Sequence, residues 1–112
     1  MADINNFSCT GNLTRDPESQ YMTDGKQITK FDIAIGGYSK DQVTFLKVEA
    51  WEKSAEIISN YVKKGHKIGI TGRLKQDKFT NKEGQTVTVI KLVAEKITLL
   101  TKKEENNDNP YK

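Results

Sequence analysis

Cysteine, histidine and tryptophan each occur once among the 112 residues, as Cys9, His66 and Trp51. A lone cysteine excludes an internal disulfide framework, and a lone Cys with a lone His excludes a Cys/His zinc cage built by one chain. Proline is confined to Pro17 and Pro110, and no apolar run approaches the ~20 residues of a membrane span. Met1 to Asn6 contain neither a basic stretch nor a long apolar one, so the expectation is a cytoplasmic protein that is neither secreted nor membrane-inserted. A large excess of one charge sign is lacking too. Eighteen Lys plus Arg against fifteen Asp plus Glu leave +3, compatible with phosphate binding but too small to imply it. At this length one domain is expected, residues 1–100, burying about 65% of the unfolded chain's surface.

What the chain does have is alternation. Residues 4–14 place Phe7, Cys9, Gly11 and Leu13 on one face and Asn6, Ser8, Thr10 and Asn12 on the other, which predicts a first strand. Asp16-Pro17 interrupts it and Asp24-Gly25 is a turn signal, so residues 15–26 are expected to form a loop. Phe31, Ile33 and Ile35 then alternate through a second strand, 27–36. In a third, Leu46, Val48 and Ala50 alternate with Phe45, Lys47, Glu49 and Trp51. Ala55, Ile58 and Val62 at helical spacing predict a helix over about 53–64, with Lys63-Lys64-Gly65 as a cationic last turn and stop. Ile68, Ile70 and Leu74 continue as a fourth strand, followed by a hairpin tip at Asn81–Gln85. The fifth strand, Thr86–Leu100, switches parity twice, from Val87 and Val89 to Ile90, Leu92 and Ala94, then to Ile97 and Leu99. Two switches predict at least one bulge or bend. Thr101–Lys112 has no apolar periodicity and balances three lysines against three carboxylates, so a short disordered tail is expected.

Three strands, a helix and two long strands joined by a projecting hairpin indicate an all-β chain with one helix, a five-stranded Greek-key barrel of the OB type. Such a barrel fills its interior from alternate residues and leaves an outer face for a ligand.

Catalytic chemistry finds little support. Cys9 lies on the apolar parity of the first strand and His66 at a strand entrance. Asp16 and Glu18 beside Pro17 suit turn capping better than acid–base work. Gly69 and Gly72 have no following Lys-Ser/Thr and sit inside a strand pattern, so they imply curvature or close packing rather than a phosphate loop. No enzyme activity, cofactor or metal is expected. By contrast, Phe45, Trp51 and Phe79 fall on the charged parity of their strands, and Tyr38 extends the polar side of the second. Lys47, Arg73, Lys75 and Lys78 neighbour them. Rings among cations on one outer face suit a single-stranded nucleic acid, because bases stack without regard to sequence while the cations meet phosphates.

At these residues the chain resembles the bacterial single-stranded DNA-binding protein family, from about Ile4 to Leu100. The resemblance is carried by Gly-Asn-Leu-Thr-Arg-Asp-Pro-Glu (11–18), Tyr-Met-Thr-Asp-Gly (21–25), Phe-Asp-Ile-Ala-Ile (31–35), Tyr-Val-Lys-Lys-Gly (61–65) and Gly-Arg-Leu-Lys (72–75). It implies base stacking at Phe45, Trp51 and Phe79, with a further stacking residue near Tyr38 or Ser39. It also implies basic contacts at Lys47, Lys53, Lys75 and Lys78, whereas Arg73 rests on parity. Also implied is sequence-independent coating and protection of single-stranded DNA in replication, recombination and repair, by a homotetramer. The family's acidic Asp-Ile-Pro-Phe tip is replaced by Asn-Asp-Asn-Pro-Tyr-Lys (107–112), which suggests a shortened, an accessory, or a plasmid- or phage-encoded member, with partner recruitment in question. The alternatives are a primosomal accessory OB protein, a protein-interaction OB module, and an RNA-binding protein using the same stacking platform.

Overall fold

The computed structural model describes residues 2–101. Beyond Thr101, the segment expected to be a disordered tail lies outside the described residues. Six strands and one helix follow in the order β1 (Phe7–Leu13), β2 (Glu18–Tyr21), β3 (Gln27–Gly36), β4 (Val43–Trp51), α1 (Glu52–Tyr61), β5 (Lys67–Thr80) and β6 (Thr86–Leu99).

The strands join as β1-β5-β6-β4-β3-β2, and a further β1–β3 pairing at Asn12↔Ala34 and Leu13↔Ile33 closes the ring. Five strands therefore make a closed barrel, with β2 added beside the first half of β3. Only β4 and β6 run parallel, because α1 and all of β5 intervene between them. Alternation fills the interior: Phe31 and Ile33 from β3, Val48 and Ala50 from β4, Ile68 and Ile70 from β5, and Leu92 and Ala94 from β6. Ala55 and Ile58 of α1 and the following Val62 join the same core, and the Thr29 hydroxyl donates to the Ala55 carbonyl at 3.2 Å. Among the described residues, no buried side-chain nitrogen or oxygen lacks a partner.

Four expectations need correction. The loop over 15–26 contains β2, whose residues Glu18, Ser19, Gln20 and Tyr21 are all exposed and so carry no apolar alternation to betray a strand. The first strand begins at Phe7 rather than Ile4. The helix ends at Tyr61 with no basic residue in its last turn, so Lys63 and Lys64 lie beyond it in the turn that Gly65 closes at φ +87°. Glu49, expected outside with its charged neighbours, is 4% exposed although it stands on the outer face. The parity switches of β6 resolve differently from each other. Between Ala94 and Ile97 the register slips, Thr71↔Lys96 but Gly72↔Ala94, leaving Glu95 as a bulge. Between Val89 and Ile90 the register is continuous, and what changes is the covered face, because there the β5–β6 hairpin leaves the barrel as an arm.

Turn chemistry behaves as the residues suggest. Asp24 Oδ1 accepts the Lys26 N–H at 3.1 Å beside Gly25, and Asp16 Oδ1 accepts the Lys64 N–H at 2.8 Å, a capping role across 48 residues. His66 is a half-buried turn residue whose Nδ1 accepts the Lys63 N–H. Cys9 is half-buried against the core, and burial pushes its thiol pKa up, away from a reactive thiolate.

Candidate nucleic-acid interface

Cross-strand register brings residues distant in sequence onto one outer face. On β4 this face carries Phe45, Lys47, Glu49 and Trp51, opposite Ala34, Asp32, Lys30 and Ile28 of β3. On its other side β4 meets β6 with Lys47↔Lys91 and Glu49↔Val93. β6 in turn sets Val93, Lys91, Val89 and Val87 against Arg73, Lys75, Asp77 and Phe79 of β5. Phe45, Lys47 and Trp51 of β4 and Arg73, Lys75 and Phe79 of β5 are thus brought onto one face, with β6 between the two strands.

Phe45 is 69% and Phe79 52% exposed, large values for apolar rings within strands. Lys47 lies between them: it lines one hollow with Phe45 and Thr14, and a second, of about 280 Å³, with Phe79, Lys30 and Val89. Trp51 differs from both. It is half-buried, and its indole N–H donates to Glu49 Oε1 at 2.9 Å, so its donor is already engaged. Immediately after it, Glu52 adopts φ +52° as the chain reverses from β4 into α1, a left-handed conformation costly for a residue with a Cβ.

Tyr38, Lys53 and Lys78 are placed apart from this face. Tyr38 is fully exposed in the loop between β3 and β4. Lys53 stands exposed in the first turn of α1. Lys78 faces away from Phe79, opposite Thr88 on the reverse of the arm. Arg73 shares the face but is bound to Glu95 at 2.9 Å, the residue the bulge pushes out.

Sequence reasoning missed the middle of the face. Lys91 Nζ lies 2.6 Å from Glu49 Oε2 and is also paired with the Asp77 carboxylate, which Lys75 approaches at 3.8 Å. At the rim Asp32 holds Arg15 at 3.3 Å and Lys47 at 3.9 Å. The available cue was Lys91 itself, a lone cation inside the apolar run Val-Ile-Lys-Leu-Val-Ala (89–94).

Burial works against ionised Glu49, but hydrogen bonds from Lys91 and Trp51 together with the Lys91 charge outweigh it and hold its pKa below the ordinary value. The hydrogen bond from Lys91 lowers that of Asp77. Burial disfavours the Lys91 cation, yet its two carboxylate partners raise its pKa overall. Depressed carboxylates contribute stability that is present above their unfolded pKa and lost as pH falls through the folded one. The raised lysine contributes below its unfolded pKa and loses that contribution as pH rises through the folded one. The melting temperature should therefore stay level across neutral pH and fall once pH drops below about 4. Thermal melts of the wild type and Asp77→Asn against pH check this, with a shallower acid fall expected in the variant.

Among the described residues no group of three or more His, Cys, Asp or Glu is arranged to hold a metal ion, and no helix is long and apolar enough to cross a membrane.

Comparison with known proteins agrees with this geometry. The profile of the "Single-strand binding protein family" matches residues 4–100. The chain is 37% identical over 106 residues to "Single-stranded DNA-binding protein 1" of Streptococcus pyogenes, covering 90% of this chain and 82% of that one. It is 31% identical over 121 residues to "Single-stranded DNA-binding protein 3" of Streptococcus agalactiae, covering 96% and 88%. With "Single-stranded DNA-binding protein" of Streptococcus mutans the identity is 32% over 115 residues, covering 96% and 70%. A closed five-stranded barrel with exposed rings on one outer face, matched from Ile4 to Leu100, makes this chain a member of the single-strand binding protein family.

Proposed function

We propose that the chain binds single-stranded DNA without reading its sequence, protects it during replication, recombination and repair, and does so as a homotetramer. The observation that carries this reading is the pair of exposed rings, Phe45 and Phe79, on one sheet face with Lys47 between them. Each ring offers a stacking platform worth about 1–3 kcal/mol per base, and every base has a face to stack. Lys47 and Lys75 lie on the same face to meet phosphates, Lys53 and Tyr38 extend the path at its edges, and Trp51 contributes a ring with its donor already bound. Arg73 and Lys78 are peripheral, the first held by Glu95 and the second turned to the reverse of the arm. The reading involves no catalytic step.

Competition among matched oligo(dT), oligo(rU) and duplex DNA tests the ligand class: the single DNA strand should displace both others, and preference for duplex would refute the reading. Native mass spectrometry tests assembly, with a tetramer expected and a dimer favouring a primosomal accessory role. Lys47→Ala should weaken binding to every sequence alike and reduce the slope of log K against log salt by about 0.7, the loss of one phosphate contact on a single strand.

A further inference from the structure

The parallel pairing of β4 with β6 runs only from Lys47↔Lys91 to Ala50↔Ala94. On the other side of Lys91 the hairpin arm, residues 76–80 with 86–90, continues on its own two-stranded ladder. Phe79 rides on this arm, whereas Phe45 and Trp51 belong to β4. A two-stranded ribbon is marginally stable in water, so the spacing between the rings depends on what braces the arm at its root. Lys91 occupies that root. Its side chain is 17% exposed, and its ammonium joins Glu49 of β4 to Asp77 of β5. Glu49 also accepts the Trp51 indole N–H. Both Glu49 oxygens thus face donors, which only a carboxylate can satisfy, because a glutamine would turn its NH2 toward one of them.

We propose that Glu49, Lys91 and Asp77 are positioning residues for base stacking: they clamp the Phe79 arm to β4 and fix the Trp51 ring, and the Lys91 charge is held inside the clamp rather than by a phosphate. The proposal rests on the single-stranded DNA reading above. It separates cleanly from simple charge effects. Removing a carboxylate from a face that binds a polyanion strengthens binding if that carboxylate acts only by repulsion. The clamp requires the opposite sign.

The test uses the full chain and oligo(dT). Asp77→Asn should bind roughly 2- to 5-fold more weakly than wild type while keeping the wild-type near-ultraviolet circular dichroism of Trp51, because Glu49 still holds the indole. The double variant Glu49→Leu/Lys91→Met, which leaves net charge unchanged and removes the acceptor of the Trp51 indole N–H, should bind at least about 10-fold more weakly. It should also lose the Trp51 dichroism and keep the wild-type salt slope. Equal or tighter binding by Asp77→Asn overturns the proposal. So does a salt slope reduced by about 0.7 in the double variant, which would make Lys91 a direct phosphate ligand. If the double variant does not melt cooperatively, the sign of the Asp77→Asn effect alone decides. Failure of the wild type to bind oligo(dT) is a distinct result that removes the DNA reading and this proposal with it.

Discussion

Phe45→Ala combined with Phe79→Ala should weaken binding of oligo(dT) by roughly 30-fold to 10⁴-fold, because two stacking platforms at ~1–3 kcal/mol each are removed together. The fold should be nearly untouched. Both rings are more than half exposed and neither belongs to the core cluster, so their loss should change stability by no more than about 0.5 kcal/mol. The two single variants should each show part of the loss, and their effects should add closely if the rings stack on different bases. Isothermal titration of the three variants, alongside thermal melts, measures both quantities. Unfolding of either single variant would contradict the parity that places these rings outside.

Gly72→Ala should be strongly destabilising, on the order of 3 kcal/mol or more, a large share of what holds a domain of this size together. Gly72 stands at the bulge, and a Cβ there would overlap the Val93 carbonyl oxygen and press on the backbone of Ala94, neither of which can swing aside. Gly69, three residues earlier in the same strand, provides the contrast. A Cβ there meets only Thr10, Thr98 and Leu100 side chains at 3.7 to 3.8 Å, an ordinary contact, so Gly69→Ala should be neutral within about 1 kcal/mol. Urea denaturation of the two variants measures the difference directly. Of the curvature or close packing expected for the two glycines, close packing is found at Gly72, where the backbone of Val93 and Ala94 comes too near for a Cβ, and not at Gly69.

The barrel was legible because inside and outside alternate along β3, β4 and the first half of β5, where burial of Phe31, Val48 and Ile70 dominates local preference. β2 was not, since a short, wholly exposed strand has nothing to bury, and Pro17 with Asp24-Gly25 gives stronger loop signals. Phe45 and Phe79 stood out as rings on a charged parity, and both are exposed where expected. The clamp was hidden for a different reason. Lys91 meets Glu49 only through the parallel β4–β6 pairing and Asp77 only through the β5–β6 register, and neither follows from local spacing. The same long-range pairing explains why Glu49, a charged residue on an outward parity, is nevertheless buried. Lys78 shows the reverse limit: proximity to Phe79 in sequence put it beside the ring, whereas adjacent residues of a strand point to opposite faces.

Trp51 is the only tryptophan, and it stands on the face where the strand is proposed to lie, so its emission reports on binding without a label. The decisive measurement is a titration of that fluorescence with oligo(dT) of increasing length at low salt, repeated as salt is raised. Saturable quenching, tighter binding with length until the site is filled, and affinity falling linearly with log salt are the expected results. Unchanged emission together with no retarded complex in a low-salt gel would contradict the account.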